Sequence, residues 1–160
     1  MMSVKDLADT WSSIYSGSPA LKSALAFTHI GGLVGGGGCA IAADRVTLRA
    51  MRRGAAALDR ELEHIHHIHI VVIAGLALVI ASGLLLMLAD LDAYLESPVF
   101  WIKMALVVAL IANGALVVRG ARRTHAGAAD GPRLLRLAAI ASLTLWFGTT
   151  LFGAILPNVL

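Results

Sequence analysis

Four of the chain's six histidines crowd into the run Glu61-Leu62-Glu63-His64-Ile65-His66-His67-Ile68-His69, and another, His29, stands alone in a long apolar stretch. In helical spacing His64 and His67 are three apart, as are His66 and His69, and Glu63 is three from His66, so each pair shares one side of a helix. Such pairs suit a divalent transition metal, or lend one imidazole to a haem iron. They equally suit an interfacial anchor or a contact for acidic lipid headgroups. No HExxH motif accompanies the run, and His125 and Asp44 are the obvious residues to complete a site there. His29 faces a different choice. At 100° per residue Gly32, Gly36 and Ala40 fall within about 60° of it, so the imidazole points along a small-residue face. That face would accommodate a b-type haem with His29 as an axial ligand. The other role open to His29 is a hydrogen bond to Ser82 or to a threonine on a neighbouring helix.

The elements that must hold these residues follow from composition. Of 160 residues, 58% are hydrophobic and 14% charged, with a mean hydropathy of +0.80, well beyond what a soluble domain's core requires. A hydrocarbon core of about 30 Å takes roughly 20 apolar residues of helix to cross. Residues 23–43, 70–89, 99–118 and 137–156 meet or approach that length. Pro19, Pro98 and Pro132 stand where a first helical turn tolerates proline, and Pro157 closes the fourth span. The expected fold is all-α: a polytopic membrane protein forming one antiparallel four-transmembrane-helix bundle. The spans with their extensions cover 19–53, 56–89, 98–122 and 132–156. Before them Val4, Leu7, Ala8, Trp11, Ile14 and Tyr15 recur at steps that predict a short N-terminal interfacial helix over 3–16. The single cysteine, Cys39, removes any disulfide framework within the chain.

Charge sets the direction. Arg45, Arg49, Arg52, Arg53 and Arg60 separate the first two spans, and Arg119, Arg122, Arg123, Arg133 and Arg136 separate the last two; Asp90, Asp92 and Glu96 lie on the other side. The positive-inside rule predicts both termini outside, and the arginine-over-lysine bias with the Ala/Gly richness suggests a bacterium, so the expected place is a bacterial cytoplasmic (inner) membrane with both termini periplasmic. The sequence pI of about 9.5 reflects these loops, so no nucleic-acid partner is expected; the lipid bilayer is the expected environment. Lys5, Asp6 and Asp9 precede a span too long for the core of a cleavable signal.

Depth sorts the polar residues into two levels. His29 lies seven residues inside Lys22, Ser82 eight inside Asp90, Lys103 five inside Pro98 and Thr150 seven inside Pro157. With Thr149, Met104 and Met87 they form an outer level, where His29, Gly32, Gly36, Ser82, Lys103, Met104 and Thr150 are the candidate cofactor-binding residues. Lys103 either snorkels to the interface or holds a propionate or quinone oxygen. Met104 and Met87 either pack or supply a sixth iron ligand. The second level is the histidine run, with Glu63, His64, His66, His67 and His69 as candidate metal ligands. His29 is 15 residues from Asp44, about 22 Å of helix, while His69 lies at Asp44's boundary, so the two levels cannot share an ion.

His29 early in the first span, the glycine stretch followed by Asp44-Arg45, and Phe100-Trp101-Ile102-Lys103 opening the third span resemble small bacterial four-span membrane proteins. The group includes the HemJ-type protoporphyrinogen oxidases and the membrane domain of CopD-type copper-resistance proteins. The resemblance covers spans one to three. It implies haem binding through His29 and matches Lys103 to the family's third-span lysine. Asn113-Gly114 stands where that family commonly carries a second histidine, and the histidine run belongs to neither pattern.

Three functions compete. One is a haem-b-binding protein engaged in electron transfer or in tetrapyrrole or quinone redox chemistry. Another is an accessory subunit, homo-oligomeric or with partner membrane subunits, whose glycine face and Trp146-Phe147 pack against partner helices. The third is transition-metal handling by the histidine run. No serine-nucleophile, Walker or paired-carboxylate motif supports hydrolysis or nucleotide binding.

Overall fold

The computed structural model describes the backbone of residues 4–160 and the side chains of residues 5–62 and 68–160. Their regular elements are helices: α1 (Val4–Gly17), α2 (Pro19–Gly32), a π turn (Leu33–Gly37), α3 (Gly38–Arg53), α4 (Ala55–Ala89), α5 (Leu91–Glu96), α6 (Pro98–His125), α7 (Gly131–Ile155) and a closing 3-10 turn (Leu156–Asn158). Four stretches are long and apolar enough to cross a bilayer: α2 through α3 as one rod (Pro19–Arg53), Ile68–Ala89 of α4, α6, and α7 with its 3-10 turn. The protein is therefore an all-α membrane-spanning bundle, with a short amphipathic helix at its N-terminus.

Local chemistry starts and stops these rods. The Ser18 hydroxyl accepts from the Leu21 N–H at 3.3 Å, and Pro19 fills the first turn where no N–H is needed. Gly54, at φ +107°, reverses the chain between α3 and α4 in a conformation that side-chain-bearing residues avoid. The first rod and α4 have 35 residues each, about 52 Å of helix against a core of about 30 Å, so both project past the bilayer on the arginine-rich side. At the other end α1 lies across α4. The Trp11 indole N–H donates to the Leu85 carbonyl at 2.8 Å and the Ser12 hydroxyl to the Ala89 carbonyl at 2.7 Å, with Ala8 buried beneath.

Glycine sets how closely the first rod meets α4. A Cβ at Gly75 would lie 2.5 Å from the Gly36 Cα, and one at Gly32 would lie 2.9 Å from the Gly75 carbonyl oxygen, so the two backbones touch. The next glycine, Gly37, turns to α7, where a Cβ would meet the Trp146 ring at 2.9 Å. A second close crossing joins α6 to α7, with Gly120 against Leu135, and the buried Asn113 amide donates to the Ala138 carbonyl at 3.0 Å.

The first rod thus sits between α4 and α7, and α6 packs on the far side of α7, while α4 and α6 barely meet. What remains between them is a cleft. Ala40, Leu110 and Trp146 form the core at mid-depth, and Ala50, Leu58 and Leu135 form a second core toward the arginine side. Outward faces carry Phe27, Val34, Val108 and Phe147, each about two-thirds exposed or more in the chain alone, as a lipid-facing surface requires.

Candidate functional site

The cleft holds two cavities with Ile111 on the wall of both. The outer one, about 200 Å³, is lined by His29, Met87, Tyr94, Phe100, Lys103 and Met104 among others. The inner one, about 360 Å³, has Asp44, Thr47, His69, Ser142 and Trp146 on its wall.

His29 is half-buried, and its Nδ1 lies 2.9 Å from the hydroxyl of Ser82. Ser82, only 2% exposed, directs its single proton at the Leu78 carbonyl one turn back, with the Val79 carbonyl at 3.3 Å as a weaker acceptor. A hydroxyl that has used its proton can only accept, so His29 donates from Nδ1–H, and neutral imidazole then keeps its lone pair on Nε2. The Val79 carbonyl also bonds the ring, and with Nδ1 turned to Ser82 the nitrogen left for the cavity is Nε2. Gly83 makes room for the ring, since a Cβ there would stand 3.2 Å from Cε1.

Lys103 is also half-buried. Its ammonium lies beside the bare backbone of Gly153, 3.5 Å from where a Cβ would stand, and has no hydrogen-bond or ion-pair partner among the described residues. Tyr94 meets Phe100 edge to face, ring centroids 5.6 Å apart, at the cavity's outer end. Burial pushes the Tyr94 phenol above its usual range, and Tyr15 and Asp90 push the same way, so it stays a neutral donor. The outer cavity therefore presents one acceptor, Nε2, and one cationic donor, Nζ, within apolar walls.

Of the outer-level residues expected from sequence, His29, Lys103, Met104 and Met87 line the cavity and Ser82 orients the imidazole. Gly32 and Gly36 do not line it. Their faces are filled by α4, which takes the helix-approach role of a small-residue face and leaves none of it for a flat ligand. Thr150 is at the right depth on the wrong side: it is exposed, and its hydroxyl donates to the Trp146 carbonyl at 2.8 Å. Its neighbour Thr149 is buried, with no partner for its hydroxyl among the described residues. Sequence reasoning missed Tyr94, Gly83 and Gly153. The clue for the glycines was their position: one follows Ser82, the other lies one turn past Thr149.

At the inner level the side chains of Glu63, His64, His66 and His67 lie outside the described residues. His69 shares a cavity with Asp44. His125 does not turn toward the run; its Nδ1 lies 3.1 Å from an Asp59 oxygen, tying the end of α6 to the start of α4. Among the described residues no three histidine, cysteine or acidic side chains gather closely enough to hold a metal ion. Trp146 is buried at 4% exposure inside the bundle while Phe147 faces out, so the pair does not form one surface for a partner helix.

The donor set suits a haem iron, since an imidazole fixed through Nδ1 offers Nε2. The space does not. About 200 Å³ has room for one ring and not for a four-ring macrocycle, and the glycine face is closed. Comparison of the chain with protein-family models, with curated proteins and with solved structures returned no match.

Proposed function

We propose that the protein resides in a bacterial cytoplasmic membrane with both termini on the periplasmic side, and that its outer cavity binds the ring of a quinone-class, lipid-soluble molecule. The ten loop arginines support the orientation. The observation that carries the ligand is the pairing, on one apolar cavity wall, of an imidazole held with Nε2 unprotonated and an unpaired lysine ammonium. Nε2 accepts from a quinol hydroxyl and Nζ donates to the opposite ring oxygen. A cavity of about 200 Å³ has room for a single ring, about seven water-sized groups at ~30 Å³ each, and the cleft between α4 and α6 lets a tail pass into lipid.

Organic extraction of the purified protein tests this. Quinone identified by its oxidised-minus-reduced ultraviolet spectrum, near one per chain in wild type and lost in His29→Gln and Lys103→Gln, is the expected result. Quinone at equal levels in all three overturns it. Haem b is the second reading, favoured by the Ser82 hydrogen bond that orients His29, and it requires α4 and α6 to part. A Soret band lost in His29→Ala, with no quinone extracted, would replace the first reading with the second.

A further inference from the structure

The inner cavity contains a buried polar atom that no described residue satisfies. Asp44 is 6% exposed, lies on the cavity wall, and has no hydrogen-bond partner for its Oδ2. Ser142 lies within hydrogen-bonding reach of the carboxyl group, and Oδ2 still lacks a donor. The nearby arginines do not supply it. Arg45 and Arg49 are exposed, and no ion pair joins either to Asp44 among the described residues. His69 stands on the same wall, but no hydrogen bond from a described residue reaches Oδ2; a buried carboxylate oxygen short of a donor is costly, and the cost falls when a cation with an N–H enters beside it.

Three features of the wall narrow the class of cation. The cavity of about 360 Å³ falls within the usual size range for organic ligands and has room for about a dozen water-sized groups. Apart from Asp44, Thr47, His69 and Ser142 its lining is apolar, with Val72, Leu76, Leu110 and Ile111 among the contributors. Trp146 supplies an aromatic surface of the kind that attracts organic cations. We infer that the inner cavity binds a small apolar molecule bearing a primary ammonium group, with Asp44 as its anchor. The ammonium donates to Oδ2, the hydrocarbon part fills the space between α4 and α6, and Trp146 flanks the charge. The cleft opens between spanning helices, which gives such a molecule a route into the cavity from the lipid. This inference rests on Asp44 and is independent of the ligand at His29.

The experiment uses the full chain in nanodiscs, with Trp11→Phe and Trp101→Phe leaving Trp146 as the sole tryptophan of the original three. The probes are 2-phenylethylammonium and propylbenzene, which differ by a methyl group in place of the ammonium. The ammonium is expected to change Trp146 emission saturably, about tenfold more tightly than propylbenzene, and Asp44→Asn to abolish that preference. A Cβ at Gly114 meets nothing within 4 Å, so Gly114→Leu fills the cavity with Asp44 intact and is expected to block both probes. Equal binding of the two probes in wild type, or a preference that survives Asp44→Asn, overturns the proposal and leaves a cavity that holds water or selects by shape alone. Saturable binding unchanged by Gly114→Leu overturns it too, because the probe would then be elsewhere.

Discussion

The two cavities share a cleft and a wall residue, Ile111, yet they treat their ionisable groups in opposite ways. At the outer end the protein has already spent one nitrogen of His29 on Ser82, and that bond decides which face of the ring meets a ligand. At the inner end Asp44 is held by Ser142 on one side only, and its second oxygen waits for a donor. On the two proposals, the first arrangement would select by hydrogen-bond direction and the second by charge. One scaffold supports both because α4 and α6 are held apart by the rod and α7 rather than packed on each other.

The largest effect is expected where both cavities depend on one contact. Gly75→Ala drives a methyl group to within 2.5 Å of the Gly36 backbone and should lower stability by about 1–3 kcal/mol, read as a fall in thermal unfolding temperature. Gly35→Ala, where a Cβ meets nothing within 4 Å, should leave that temperature unchanged or raise it, since alanine stiffens the helix. Equal behaviour would mean that the glycine crossing does not set the spacing.

Next comes the contrast itself. His29→Gln should weaken quinone binding about tenfold and leave 2-phenylethylammonium untouched, while Asp44→Asn should do the reverse; each pair of constants measured in both variants checks that the sites are separate. Ser82→Ala is expected to act more gently. It removes the acceptor that holds the imidazole, a loss of about 1 kcal/mol, so quinone affinity should drop about fivefold while Lys103→Gln effects persist on top.

Two smaller effects bound the comparison. Thr149 buries a hydroxyl without a partner, so Thr149→Val should raise stability by about 0.5–1 kcal/mol, whereas Thr150→Val, on the exposed side, should not. The Lys5–Asp92 pair is 3.5 Å long and mostly exposed, so Lys5→Gln should change stability by less than about 0.5 kcal/mol in a melt at moderate salt.

The four membrane rods were legible from run length and charge alone, because lipid leaves an apolar stretch of that length no other hydrogen-bonded form than helix. Depth counting also grouped His29, Ser82, Lys103 and Met104, since residues on antiparallel rods share a level if they are equally far from their edges. Direction around each rod was harder. Thr149 and Thr150 are neighbours with 100° between them, and no pattern in α7 says which of the two turns inward. Ala40 was assigned to the face of His29 by a constant angular step, but it packs with Leu110 and Trp146 instead. The constant step fails because Leu33–Gly37 is a π turn, which takes up one more residue than an α turn. The cleft was invisible for a different reason: which rods are neighbours depends on glycine contacts between residues 32, 36 and 75 that no local window contains.

That π turn also governs how the first span tolerates changes in length. A π turn accommodates one additional residue while the helices on either side keep their relative facing. Removing Gly35 would therefore let the segment relax to ordinary α geometry with Gly32 and Asp44 still facing as they do. Removing Ala26, within regular α-helix, would instead rotate everything before it by about 100° and carry Leu25 out of its buried position. Deletions of equal size in one rod are thus unequal, and the glycine-rich stretch is where this span can change length without losing the alignment between its two ends.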